Sequence, residues 1–131
     1  MVRKMLIFIL LSVVLIGVSI GEQIFIDNTI NTMLKHIDSF ETTIIENENN
    51  LDSQNVLAKF YKMENYWENR ESTMAFFVDH KNISNIGQGL VRLIAALEEN
   101  DYTLSKTEIY LLREVAFVFK KMSTFNIHNV F

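Results

Sequence analysis

An uncharged run near the start constrains this chain more than any other feature. Met5 to Gly21 reads MLIFILLSVVLIGVSIG, 17 residues without Asp, Glu, Lys or Arg. As a helix rising about 1.5 Å per residue, it nearly spans a hydrocarbon core of about 30 Å. Glu22 and Gln23 interrupt the run, and Ile24, Phe25 and Ile26 carry its apolar character further. Arg3 and Lys4 precede it, and no Lys or Arg follows until Lys35. The excess of basic residues on the cytoplasmic flank of such helices puts the N-terminus inside and the rest outside.

A cleaved signal peptide is the rival reading. The run is short for an anchor, and Ser19-Ile20-Gly21 offers the small residues a signal peptidase needs. The helical pattern continues through Gly21 with no turn chemistry, which favours an anchor. Residues 1–21 are therefore expected to be a membrane anchor or an uncleaved signal-like segment, and residues 22–131 an extracytoplasmic helical domain. Gly17 and Gly21 form a GxxxG spacing, which lets two membrane helices approach closely, although glycine is also common in such helices for no such reason.

The charge is unevenly spread. Arg3 and Lys4 are two of the 12 basic residues, while all 16 acidic ones lie from Glu22 onward, so that part carries −6. Phosphate repels an acidic domain, and no basic stripe offsets this, so nucleic acid is not an expected partner. Cysteine is absent, which excludes disulfides and thiolate metal sites. Proline is absent too and glycine occurs only four times, so long helices meet few breakers.

Past the run, apolar residues fall at Ile26, Ile30, Met33, Ile37, Phe40 and Ile44. Their alternating spacings of four and three mark the buried face of a helix that reaches about Glu46. Leu34 and Ile45 widen the stripe. Asn-rich residues 46–50 make a loop, and Asp52 or Ser53 can cap a second helix. That helix buries Val56, Leu57, Phe60, Met63, Trp67, Met74, Phe77 and Val78. The apolar phase then slips, which predicts a break or kink between Asp79 and Asn82. A third helix buries Ile83, Ile86, Leu90, Leu93, Ile94 and Leu97, with Gly87 and Gly89 admitting a close neighbour. After a loop at 98–103, Ser105-Lys106-Thr107-Glu108 reads as a capping box, with Leu104 and Ile109 as its hydrophobic staple. Asp101 and Thr103 are alternative caps. The fourth helix buries Leu112, Val115, Ala116, Phe119 and Met122. The expected architecture is all-α: an N-terminal transmembrane helix leading into an antiparallel bundle of about four helices.

Chemistry-bearing patterns are sparse. Asp79-His80 sits at the phase break and, with Glu71 or His36, is a candidate metal pair. No ligand-spaced His–carboxylate partner accompanies His80, so a helix cap is the plainer role. His36 lies one step off the first helix's stripe. Trp67, with Phe60, Tyr61 and Tyr66, forms an aromatic cluster that reads as core before it reads as a groove. Carboxylate pairs such as Glu98-Glu99 fall on wet faces without a pocket. Val130 and Phe131 close the chain with apolar side chains that either pack back on the bundle or meet a partner. No catalytic residue and no cofactor is expected.

The short basic start, the apolar anchor, Trp67, Asp79-His80, the Leu90-Val91-Arg92-Leu93 run, a polar gap, a last amphipathic helix and the closing Asn129-Val130-Phe131 together resemble one family. It comprises uncharacterised small membrane-anchored proteins of low-GC Gram-positive bacteria, a domain of unknown function numbered four-three-six-three. The family pattern has an acidic residue two positions after the His, where this chain has Asn82. The resemblance implies an envelope location and no activity.

Two functions remain in view. One is a non-enzymatic, membrane-tethered interaction module on the outer face of a bacterial cytoplasmic membrane. It would meet the bilayer through its first helix, and another membrane protein or a second copy of itself. The alternative is an extracytoplasmic sensor or binding domain for a metal ion or small ligand, built on Asp79-His80 and the aromatic cluster.

Overall fold

The computed structural model describes the backbone of residues 1–130 and side chains up to Ser123. Four helices follow one another: α1 (Val2–Glu46), α2 (Gln54–Met74), α3 (His80–Glu98) and α4 (Tyr102–Val130). No strand occurs among the described residues. Each helix packs on its neighbours in chain order, and α4 closes the ring against α1, while among the described residues the diagonal pairs keep their Cα atoms more than 8 Å apart. The short connections make neighbours antiparallel. One end of the bundle therefore carries the α1–α2 and α3–α4 turns, and is called the Asn100 end here. The other carries the α2–α3 turn beside the level of α1 where the uncharged run stops, the Gln23 end.

The core follows the expected stripes. Ile26, Ile30, Met33, Leu34, Ile37, Phe40 and Ile44 of α1 are all buried, whereas Ile45 is exposed. They meet Val56, Phe60, Met63, Trp67 and Met74 of α2, the third-helix stripe from Ile83 to Leu97, and Ile109, Leu112, Ala116 and Phe119 of α4. Ile94 and Val115 are only partly buried. Gly89 is a site of close approach, because a Cβ there would stand 2.9 Å from Leu112 Cδ1. Gly87 has nothing within 4 Å and serves no such approach.

Three local expectations change. The helix break lies at residues 75–79, earlier than Asp79–Asn82. Asp79 takes a non-helical conformation at φ −58° and ψ 128°, and its carboxylate accepts from the Lys81 N–H at 3.0 Å, as a helix cap requires. The chain therefore leaves α2 before Phe77, which is 39 % exposed and does not join the core. The fourth helix starts one turn before Ser105. Asp101 accepts from the Leu104 N–H at 2.9 Å, and Ser105 already lies inside the helix with its hydroxyl buried and unpartnered. The expected capping box is absent because the Ser105 N–H already reaches the Asp101 carbonyl at 2.9 Å, while Glu108 pairs with Arg92 of α3 at 3.0 Å. Met122 is half exposed at the Gln23 end.

The α3–α4 turn is tight for a stated reason. Asn100 sits at φ 52°, the left-handed region that asparagine tolerates better than most residues. Its N–H reaches the Leu97 carbonyl and the Asp101 N–H reaches Ala96, the paired bonds of a Schellman ending. The Asn100 side chain also accepts from the Leu51 N–H at 2.9 Å and donates to the Asn49 carbonyl at 3.2 Å. One residue thus ends α3 and ties the two turns of its end together.

Candidate functional site

The apolar half of α1 stands clear of the bundle. It is long and apolar enough to cross a membrane, and none of its most apolar stretch is buried against the rest of the chain. Its two hydroxyls are satisfied within the helix: Ser12 and Ser19 each donate to the carbonyl four residues back at 2.9 Å. That removes the unpaired polar groups that hydrocarbon penalises. Gly17 and Gly21 lie open on this surface with nothing within 4 Å. A second helix could therefore reach both without a clash.

The outer face of α4 is a second apolar surface. Leu104, Leu111 and Val118 are exposed at spacings of seven, flanked by Tyr110 and Phe117, which are also exposed. Residues seven apart return to the same side of a helix, so they form one stripe beside the buried one. The sequence pattern already contains this stripe, but it is masked by the stronger core stripe on the same helix. Val130 and Phe131, expected as a terminal interaction pair, lie outside the residues whose side chains are described.

The remaining candidates have structural partners. Trp67 is 0 % exposed in the centre of the core, and offers no surface to a ligand in this fold. Asp79 is the cap of α3. His80 and Glu71 do come together, lining an open groove of about 670 Å³ between α2 and α3 with Arg92 and Gly87. His36 is elsewhere, its ring 4.9 Å from that of Tyr66, which in turn carries the Arg70 guanidinium 4.7 Å above it. Burial against this surface pushes the His36 pKa down, and Lys62 adds to the effect. On α2, the helix that carries Tyr66 and Lys62, burial raises the Glu64 carboxyl, with Glu68 contributing. Among the described residues, no group of three or more His, Asp or Glu side chains is placed to hold a metal ion. Sequence reading missed the Arg113 clasp, in which α4 donates to Asp38 at 2.9 Å and to Glu41 on α1. The partners lie 72 and 75 residues away, and no local pattern announces them.

Compared with known families, the chain matches the model of Domain of unknown function (DUF4363) over residues 22–130. The chain belongs to this family. The DUF4363 match begins at Glu22, directly after the uncharged run, and takes in the second half of α1 and all of α2, α3 and α4. No curated protein matches the chain, and no solved structure does.

Proposed function

We propose that this DUF4363 protein is a membrane-tethered, non-enzymatic interaction module. In this reading α1 enters the bilayer of a bacterial cytoplasmic membrane with its N-terminus inside, and the bundle stands on the outer face. The observation that carries the reading is the pairing of two unpartnered apolar surfaces on one rigid body: the free half of α1 and the outer stripe of α4. The first suits lipid and a neighbouring membrane helix, with Gly17 and Gly21 at the approach. The second suits a helix of another membrane protein or of a second copy. Asp79, which sequence reading offered for chemistry, supports the same view, because its carboxylate is engaged in capping α3.

The test begins with retention. The mature chain should keep its N-terminus and stay in membranes through carbonate washing. An intact mass starting at Glu22, with release to the medium, would overturn the tether. Since the chain has no native cysteine, Lys106→Cys should react with a membrane-impermeant maleimide in intact cells; protection until lysis would reverse the orientation. A photo-crosslinker at Leu111 should capture a membrane neighbour, and Val118→Glu should abolish capture while leaving the helical spectrum unchanged.

The groove holding Glu71 and His80 favours a second reading, a sensor for a divalent cation or small ligand. A ligand that binds only the folded state must raise its melting temperature. A zinc-dependent rise that His80→Ala removes would replace the interaction reading with this one.

A further inference from the structure

We propose that the α2–α3 turn is a second membrane contact, with Phe76 and Phe77 entering the interfacial layer of the same bilayer that α1 crosses. The inference rests on the tethered reading above and adds to it a surface of the bundle itself.

The placement comes from the cleft at the Gln23 end. Phe77, Val78 and Asp79 of the turn line a space of about 200 Å³ together with Glu22, Gln23 and Ile26 of α1 and Met122 and Ser123 of α4. Gln23 Nε2 donates to Ser123 Oγ at 3.0 Å, which fixes α4 at this level. Glu22 and Gln23 directly follow the uncharged run that ends at Gly21. The turn therefore stands at the height where α1 passes from hydrocarbon to headgroups.

The exposure is of the right kind. Phe76 is 85 % exposed, and Phe77 39 %. Backbone bonds hold them there: the N–H groups of Phe76, Phe77 and Val78 reach the carbonyls of Thr73, Met74 and Met74. Val78 packs on the core beneath them. A turn pinned in this way leaves the Phe76 ring in solvent at this end of the bundle, with the partly exposed Phe77 ring beside it lining the cleft. Water is a poor solvent for adjacent phenyl rings, and the boundary of headgroup and acyl chain is a good one. Lys81 and Lys121 stand exposed on the turns of α3 and α4 at this end, where their ammonium groups can meet lipid phosphate. Insertion of the turn would set the bundle at a fixed tilt, because two separated points then hold it to one plane.

The full chain suits a depth measurement, since any introduced cysteine is the only one. Phe76→Cys, Leu10→Cys and Lys106→Cys would each carry a nitroxide in vesicles of phosphatidylcholine and phosphatidylglycerol. Accessibility to oxygen and to a water-soluble nickel complex then reports depth. The label at 10 should be deep, the one at 76 interfacial and the one at 106 in water. A label at 76 as open to nickel as the one at 106, with 10 deep, overturns this proposal and leaves the tether standing. A label at 10 in water overturns both. A label at 76 hidden from both reagents, and broadened as protein is crowded in the vesicle, assigns the turn to a second copy and overturns the lipid contact. Phe76 is too exposed for its replacement to unfold the bundle, and circular dichroism of the labelled chain verifies this.

Discussion

At the Asn100 end, two turns are stitched by hydrogen bonds, and Asn100, at positive φ, makes the stitches. At the Gln23 end, the turn exposes the Phe76 ring, a cleft lies beside it, and a Gln–Ser bond spans from α1 to α4. The same four helices bound both ends. The difference therefore lies in what each end is made to face. The Asn100 end ties its turns together through polar groups. The Gln23 end instead leaves the Phe76 ring 85 % exposed.

The largest expected effect tests the stitched end. Asn100→Ala places an ordinary residue in the left-handed region and removes both side-chain bonds, which together should cost about 2–3 kcal/mol. Asn100→Gly relieves the backbone and loses only the bonds, at about 1 kcal/mol. Urea denaturation of the full chain in detergent, followed by circular dichroism, separates the two. Equal losses would mean that the backbone conformation contributes nothing. Next comes the cap: Asp101→Ala should cost about 0.5–2 kcal/mol. Ser105→Ala should cost almost nothing, because its buried hydroxyl has no partner to lose. A reversal of that order would restore the helix start to Ser105.

The open end should respond differently. Phe76→Ser should change stability by no more than about 0.5 kcal/mol, as a surface substitution does. A loss of a kilocalorie or more, on the order of a buried side chain, would mean the ring is packed and would erase the contrast between the ends. The smallest effect belongs to the middle of the bundle, and sets a baseline for both. His36 favours its neutral form when folded, so its folded pKa lies below the unfolded one. Stability is then full above the ordinary value of about 6.5 and declines as pH falls through the folded value. The urea midpoint should drop between about pH 7 and pH 5, and His36→Gln should flatten that drop. An unchanged slope would remove His36 from the account.

The residues show why some of this was legible in sequence. The α1 stripe from Ile26 to Ile44 obeys one period without interruption, so both its helix and its buried face could be read. Trp67 and the third-helix stripe were equally plain. What failed was decided by competing partners, some local and some distant. Ser105 and Glu108 have the spacing of a capping box, but Asp101 caps the helix one turn earlier and Glu108 pairs with Arg92 of the preceding helix. Phe77 continues the apolar period of α2, but the Asp79 cap ends the helix before the period does. Asn100 is one of several Asn residues in polar surroundings, and only its partners 49 and 51 residues away distinguish it. The groove of Glu71 and His80 was partly legible, since Glu71 had been paired with His80, while His36 went to another face.

The uninterrupted course of α1 has a mechanical meaning. Over its 45 residues the helix has no proline, and its two glycines keep ordinary backbone angles. The apolar half and the packed half therefore turn on a common shaft, with no hinge to absorb torque. A twist applied to the first half by a neighbour at Gly17 and Gly21 is carried through continuous helix toward Ile37 and Phe40, about 30 Å further along. One residue inserted at the junction near Gln23 would swing the whole bundle by about 100° around that shaft and lift it by about 1.5 Å. The angular setting of the bundle is thus written into the number of residues between Gly21 and Ile26.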